Sequence, residues 1–156
     1  MFTPCSHPAM DSLPPSLAPG FAIARGVWRH LDQLGFAAVP EFTPARGLRV
    51  DLIALGGKGE IWIVECKSSL ADFRADHKWE GYLPWCDRFF WAVDRGFPQE
   101  VLPDETGLIL ADRHDAMILR EAPHDPLPAA RRKALTLRIA RAAARRVHSL
   151  VDPPLG

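Results

Sequence analysis

Cysteine is scarce: there are three residues at no framework spacing, which excludes a disulfide-stapled fold and points to a reducing compartment. No apolar run approaches the roughly 18 to 20 residues of a membrane helix, and the first residues lack a basic segment followed by an apolar core. A soluble cytoplasmic protein is therefore expected. Net charge is missing too, since 19 Lys and Arg balance 19 Asp and Glu, so the chain as a whole carries no footprint of a polyanionic partner. No internal repeat is evident. Gly56-Gly57-Lys58-Gly59 lacks the Ser or Thr and the helix that a phosphate-cradling loop needs, and reads as a turn. What remains is 156 residues at 47% hydrophobic content, enough for one globular domain with a real core.

Two carboxylates and an amine carry the chemistry. Leu48 to Leu55 is strand-like, Gly56 to Gly59 supplies turn chemistry and Glu60 to Lys67 is a second strand, so the unit reads as a β-hairpin. Strand alternation puts Glu65 and Lys67 on one face and Cys66 on the other. A magnesium or manganese ion takes oxygen ligands from one or two carboxylates plus the substrate's phosphate, and Asp51 with Glu65 suits the protein share. Lys67 would stand about 6 to 7 Å further along, in reach of the attacking water or the phosphate. The alternative is a surface cross-strand ion pair. Ile61-Trp62-Ile63-Val64 weighs against it, because a continuous apolar run reads as a strand buried on both faces, and charges at the end of such a strand are costly unless paired or metal-bound.

Asp51, Glu65 and Lys67 resemble the active-site signature of the PD-(D/E)XK nuclease superfamily, with Val50 where the name-giving proline would stand. The likeness extends along the chain. Ile63 to Ser69, Asp72 to Trp79, Tyr82, Cys86 to Phe90, Gly107 to Ile109, Ala111-Asp112 and Ala130 to Leu135, in that order, resemble the MmcB family of bacterial DNA repair proteins over about residues 20 to 152. The resemblance implies an α/β fold: a restriction-endonuclease-like αβββαβ layered core with a mixed central sheet flanked by helices, followed by an amphipathic basic helix at the C-terminus. It also implies DNA and other repair proteins as partners.

The order of elements read from pattern agrees. Residues 1 to 19, with five prolines, form an expected flexible leader, where Cys5 and His7 make no convincing zinc site. Ile23, Val27, Trp28, Leu31 and Leu34 fit a helix stopped by Gly35. Phe36 to Phe42 reads as a first strand, edge-like because of Pro40. A helix over Ala71 to Tyr82 follows the hairpin, then strands at Arg88 to Val93, Gly107 to Leu110 and Ala116 to Arg120.

Seven basic and no acidic residues lie between Ala129 and Leu150. A helical wheel gathers Arg131, Arg138, Arg141 and Arg145 on one side and Leu135, Ile139, Ala143, Val147 and Leu150 on the other. The basic side is either a solvated face or a phosphate-contacting one, for which Arg138, Arg141 and Arg145 are the candidates. Arg46 and Arg49 flank the approach to Asp51 as further DNA contacts. Lys78 and Tyr82, one helical turn apart, resemble a polar-x-x-x-Tyr element that related nucleases place beside the metal. Glu41 reads as either a third acidic ligand or a solvated strand end. Asp72 is the expected N-cap of the second helix, Ser68 and Ser69 are phosphate or turn residues, and Trp28, Trp62 and Trp91 are expected in the core. Trp79 and Trp85 are weighed between core packing and stacking on an unpaired base. Cys66 and Cys86 read as buried thiols. Metal-dependent hydrolysis of DNA phosphodiesters is the function these residues favour, beside a non-cleaving DNA-binding module and a protein–protein adaptor.

Overall fold

The computed structural model describes residues 19–156, so the proline-rich leader with Cys5 and His7 lies outside the described residues. Helix α1 (Pro19–Gln33) starts on a proline, whose fixed φ suits the first helical turn. Its stripe Ile23, Val27 and Leu31 is buried. Trp28 is not in the core as expected: it is 41% exposed, because it stands one residue, and so about 100° of helix rotation, from the buried Val27. Gly35 ends the helix in a left-handed conformation (φ 85°).

Six strands follow: β1 (Ala37–Ala45), β2 (Leu48–Leu55), β3 (Ile61–Lys67), β4 (Arg88–Val93), β5 (Gly107–Ala111) and β6 (Ala116–Arg120). They form one mixed sheet in chain order, with β3, β4 and β5 parallel and the other neighbours antiparallel. Every residue of β3 is buried, the outcome its apolar run requires for a central strand. The α1 stripe packs on one face over Leu52, Ala54, Val64, Phe90 and Ile109. Mid-helix Gly26 lets α1 approach the β5–β6 turn, for a Cβ there would stand 1.8 Å from the Asp112 carbonyl oxygen.

The other face carries α2 (Leu70–Ala75), a 3-10 segment (Trp79–Trp85) and α3 (Ala129–Val151), over Val50, Ile53, Ile63, Phe89 and Trp91. Buried Asp87 anchors α3 by accepting two hydrogen bonds from Arg132, both 2.6 Å, while it also accepts the Ile61 and Leu127 N–H groups. These donors hold the Asp87 carboxyl below its ordinary value against the opposing pull of burial. Leu135 and Ile139 are buried as expected, but Val147 and Leu150 are 59% and 58% exposed. At 23 residues α3 runs about 34 Å, and Ala142 and Ala143 are the last of its residues packed against the core. Among the described residues, no helix is long and apolar enough to cross a membrane.

Candidate active site

The β2–β3 ladder ends at the pair Leu52 and Val64, and beyond it side chains replace the backbone partners. Asp51 donates its backbone N–H to Glu65 Oε1 at 2.9 Å, and the Cys66 N–H donates to Asp51 Oδ2 at 2.7 Å. Each carboxylate therefore bridges the parting strands with one oxygen and keeps its other, Asp51 Oδ1 and Glu65 Oε2, for another ligand. Glu65 is 4% exposed. Burial, followed by the charge of Asp51, pushes its carboxyl up to about 8, and burial likewise raises Asp51 against the pull of the Cys66 N–H and Lys67.

Lys67, two residues along the same face, is 7% exposed. Its Nζ lies 3.0 Å from Asp76 Oδ2 and 3.9 Å from Asp72 Oδ1, with the Trp91 ring centroid 6.0 Å away. Burial lowers its pKa, but the hydrogen bond and charge of Asp76, with Asp72 and Glu65, outweigh that and raise it above the ordinary lysine value. The ammonium therefore stays charged.

The segment that covers Lys67 differs from the continuous helix expected over Ala71 to Tyr82. Ser69, not Asp72, is the N-cap of α2, accepting the Asp72 N–H at 3.1 Å. The helix ends at Ala75 because Asp76 turns out of it, its Oδ1 accepting the Lys78 N–H at 2.9 Å. Chain direction then changes into the 3-10 segment, which takes in Pro84. Lys78 and Tyr82 still share one cleft, of about 290 Å³, which they line with Glu65, Lys67, Asp72, Asp76 and His77. Both also reach the β1–β2 hairpin: Tyr82 donates its hydroxyl proton to the Arg49 carbonyl at 3.1 Å, and Lys78 Nζ stands 3.5 Å from the Gly47 carbonyl. Arg46 and Arg49 are exposed at that hairpin.

Glu41 lies on β1 between the residues that pair with Leu52 and Val50, hence opposite Asp51, and the register shifts further along, between Phe42 and Ala45. Its backbone is left-handed (φ 48°), and Arg146 holds it by donating to the Pro40 and Glu41 carbonyls, the latter at 2.8 Å. Its charge reaches Asp51 and helps to raise that carboxyl. Its side chain, however, is exposed and lines a second recess with Arg138, Arg141, Arg145 and Arg146. Arg138 is partly committed, donating to the Thr43 carbonyl at 2.6 Å and lying 5.6 Å from the Phe42 ring centroid. Arg131, placed on the same side by the wheel, instead donates to the Pro84 carbonyl and stacks on Trp85 at 4.7 Å. Arg141 and Arg145 remain exposed in the recess.

Trp79 packs on Phe89 and Trp91, at centroid distances of 5.8 and 5.6 Å, and Arg131 stacks on Trp85, so both rings are engaged in packing. Cys66 and Cys86 are buried, and burial raises both thiols, Cys86 to about 12, as inert core cysteines require.

Among the described residues, no three or more His, Cys, Asp or Glu side chains form a metal-holding group. A magnesium ion needs only one or two carboxylates when substrate phosphate completes its shell, so the hard oxygen pair of Asp51 and Glu65 fits. Their raised pKa values fit as well, since a buried and a half-buried carboxylate held together repel until a cation or a proton intervenes. Asp76 is the residue that pattern reading missed. No local pattern marks it, because the continuous helix expected over Ala71 to Tyr82 puts Asp76 mid-helix, and only the early end at Ala75 presents it to Lys67.

A family model described as DNA repair protein MmcB-like matches residues 8–154. The fold is similar to that of a protein of unknown function from Silicibacter pomeroyi, with 61% identity and a TM-score of 0.86 over 88% of this chain and 94% of that one. A repair endonuclease from Pyrococcus abyssi matches at 16% identity and a TM-score of 0.38, over 60% of this chain and 46% of that one. No curated protein matches the chain.

Proposed function

The chain belongs to the MmcB-like family of DNA repair proteins, and on that premise we propose that it is a metal-dependent deoxyribonuclease that hydrolyses phosphodiester bonds at the cleft lined by Glu65 and Lys67, beside Asp51. The observation that carries this reading is the reciprocal bridge between the Asp51 and Glu65 segments, with Lys67 beside it on one face. Asp51 and Glu65 would hold magnesium or manganese. When bound, such an ion polarises a phosphoryl oxygen and acidifies a water. Lys67 orients that water or offsets the negative charge that develops on the phosphorane oxygens, from a site dry enough for its charge to count.

Flanking phosphates meet Arg46, Arg49 and Lys78 at the rim, and Arg141 and Arg145 in the recess beyond β1, with Arg138 stiffening that wall. Tyr82 holds the β2 backbone in place through Arg49. The acidic cleft disfavours a bare phosphate, so DNA should enter with the cation. The test is incubation of wild type and Asp51→Asn with single-stranded, duplex, flapped and branched DNA in Mg2+, Mn2+ or EDTA. Cleavage by wild type in metal alone supports the reading. Binding without cleavage in every condition would favour a DNA-binding module, and neither binding nor cleavage would favour a protein–protein adaptor.

A further inference from the structure

We infer that Asp76 is the positioning residue of this site, a fixed carboxylate that selects one placement of the Lys67 ammonium. Three observations converge on it. Lys67 Nζ sits 3.0 Å from Asp76 Oδ2, within hydrogen-bond reach, whereas Asp72, at 3.9 Å and half exposed, is a looser neighbour. Asp76 cannot wander: its side chain is 8% exposed, and its second oxygen accepts the Lys78 backbone N–H at 2.9 Å. The chain gives up helical geometry to present it, for α2 ends at Ala75 and Asp76 has extended backbone (φ −84°, ψ 111°).

A lysine side chain has four rotatable bonds and no fixed donor direction, so a catalytic ammonium needs an external reference. Asp76 supplies it from a different element than the one bearing Lys67. One N–H of the ammonium goes to Asp76, which leaves two for a water or a phosphate oxygen. The same backbone bond ties Asp76 to Lys78 on the cleft rim, so the carboxylate links the inner cation to an outer one.

The inference rests on the proposed nuclease chemistry only for its kinetic consequence, and the test separates the two. Side-chain 15N spectra of the full chain at neutral pH should show a slowly exchanging Lys67 ammonium signal, identified by its loss in Lys67→Met. That signal should disappear in Asp76→Asn, return at least partly in Asp76→Glu and persist in Asp72→Asn. On a cleavable DNA, Asp76→Asn should lower kcat at least tenfold with KM within about twofold, and Asp76→Glu should recover part of the loss. A Lys67 signal unchanged in a folded Asp76→Asn protein would overturn the inference, as would a kcat equal to wild type. Absence of cleavage by wild type would sink the nuclease chemistry while leaving the spectra to decide the role of Asp76.

Discussion

Asp51 and Glu65 satisfy each other's strands: the Asp51 N–H donates to the Glu65 carboxylate, while the Asp51 carboxylate accepts from Cys66, one residue past Glu65. Two acidic groups are thereby held side by side at the point where a ladder would otherwise leave unpaired donors. The backbone bonds lower both carboxyl pKa values, yet burial wins and leaves both raised. Such a pair is stabilised by a cation or a proton, and stability should report which is present.

Glu65 is raised from 4.5 to about 8, so between those values the folded protein binds more protons than the unfolded chain. Stability must then fall as pH rises through that window, because the unfolded state deprotonates first. In EDTA the melting temperature of wild type should decline from pH 5 to pH 8 more steeply than that of Glu65→Gln. Magnesium should oppose the decline, adding about 2.7 kcal/mol at a hundredfold excess over its dissociation constant. Equal slopes in the two proteins would show that Glu65 titrates normally.

Lys67→Met keeps most of the side chain's length and its apolar stem while removing the charge. Folding should survive, since the methionine side chain still fills the space of the buried lysine stem. The rate of DNA cleavage should fall about a hundredfold, equivalent to about 2.7 kcal/mol of transition-state stabilisation. Single-turnover kinetics at saturating metal measure this, and an unchanged rate would remove Lys67 from the chemistry.

The basic helix makes separable predictions. Arg141 and Arg145 are exposed in the recess, so the double change to Gln should flatten the salt dependence of duplex binding by about 0.9 log unit per lost contact. Arg138→Gln should instead lower the melting temperature, because that guanidinium ties α3 to the β1 backbone at Thr43. Binding isotherms over a range of salt, with a matched melt for each variant, separate the two effects.

Periodicity carried most of this fold and the centre of the site. The unbroken apolar run of β3 identified a central strand, and alternation placed Glu65 with Lys67. Helix rotation separates faces but says nothing of how far a core extends, so Val147 and Leu150 were assigned to an interior that stops near Ala143. Trp28 departs for a related reason: it falls within the apolar helical pattern, but it stands one residue from the buried Val27 and its angle on the helix leaves it exposed. The role of Asp76 is illegible in the sequence because it depends on an early helix end and on the tertiary partner Lys67, neither of which a local pattern marks.

Paramagnetic broadening by Mn2+ tests the central claim most directly, because it locates the ion without any substrate. Titrated into 15N-labelled wild type, Mn2+ should first erase the amide signals of Val50 to Leu52 and Glu65 to Lys67, and the Asp51→Asn, Glu65→Gln double variant should lose that selective effect. Broadening centred elsewhere on the sheet, or the same pattern surviving in the double variant, would contradict the assignment of Asp51 and Glu65 as the metal-holding pair.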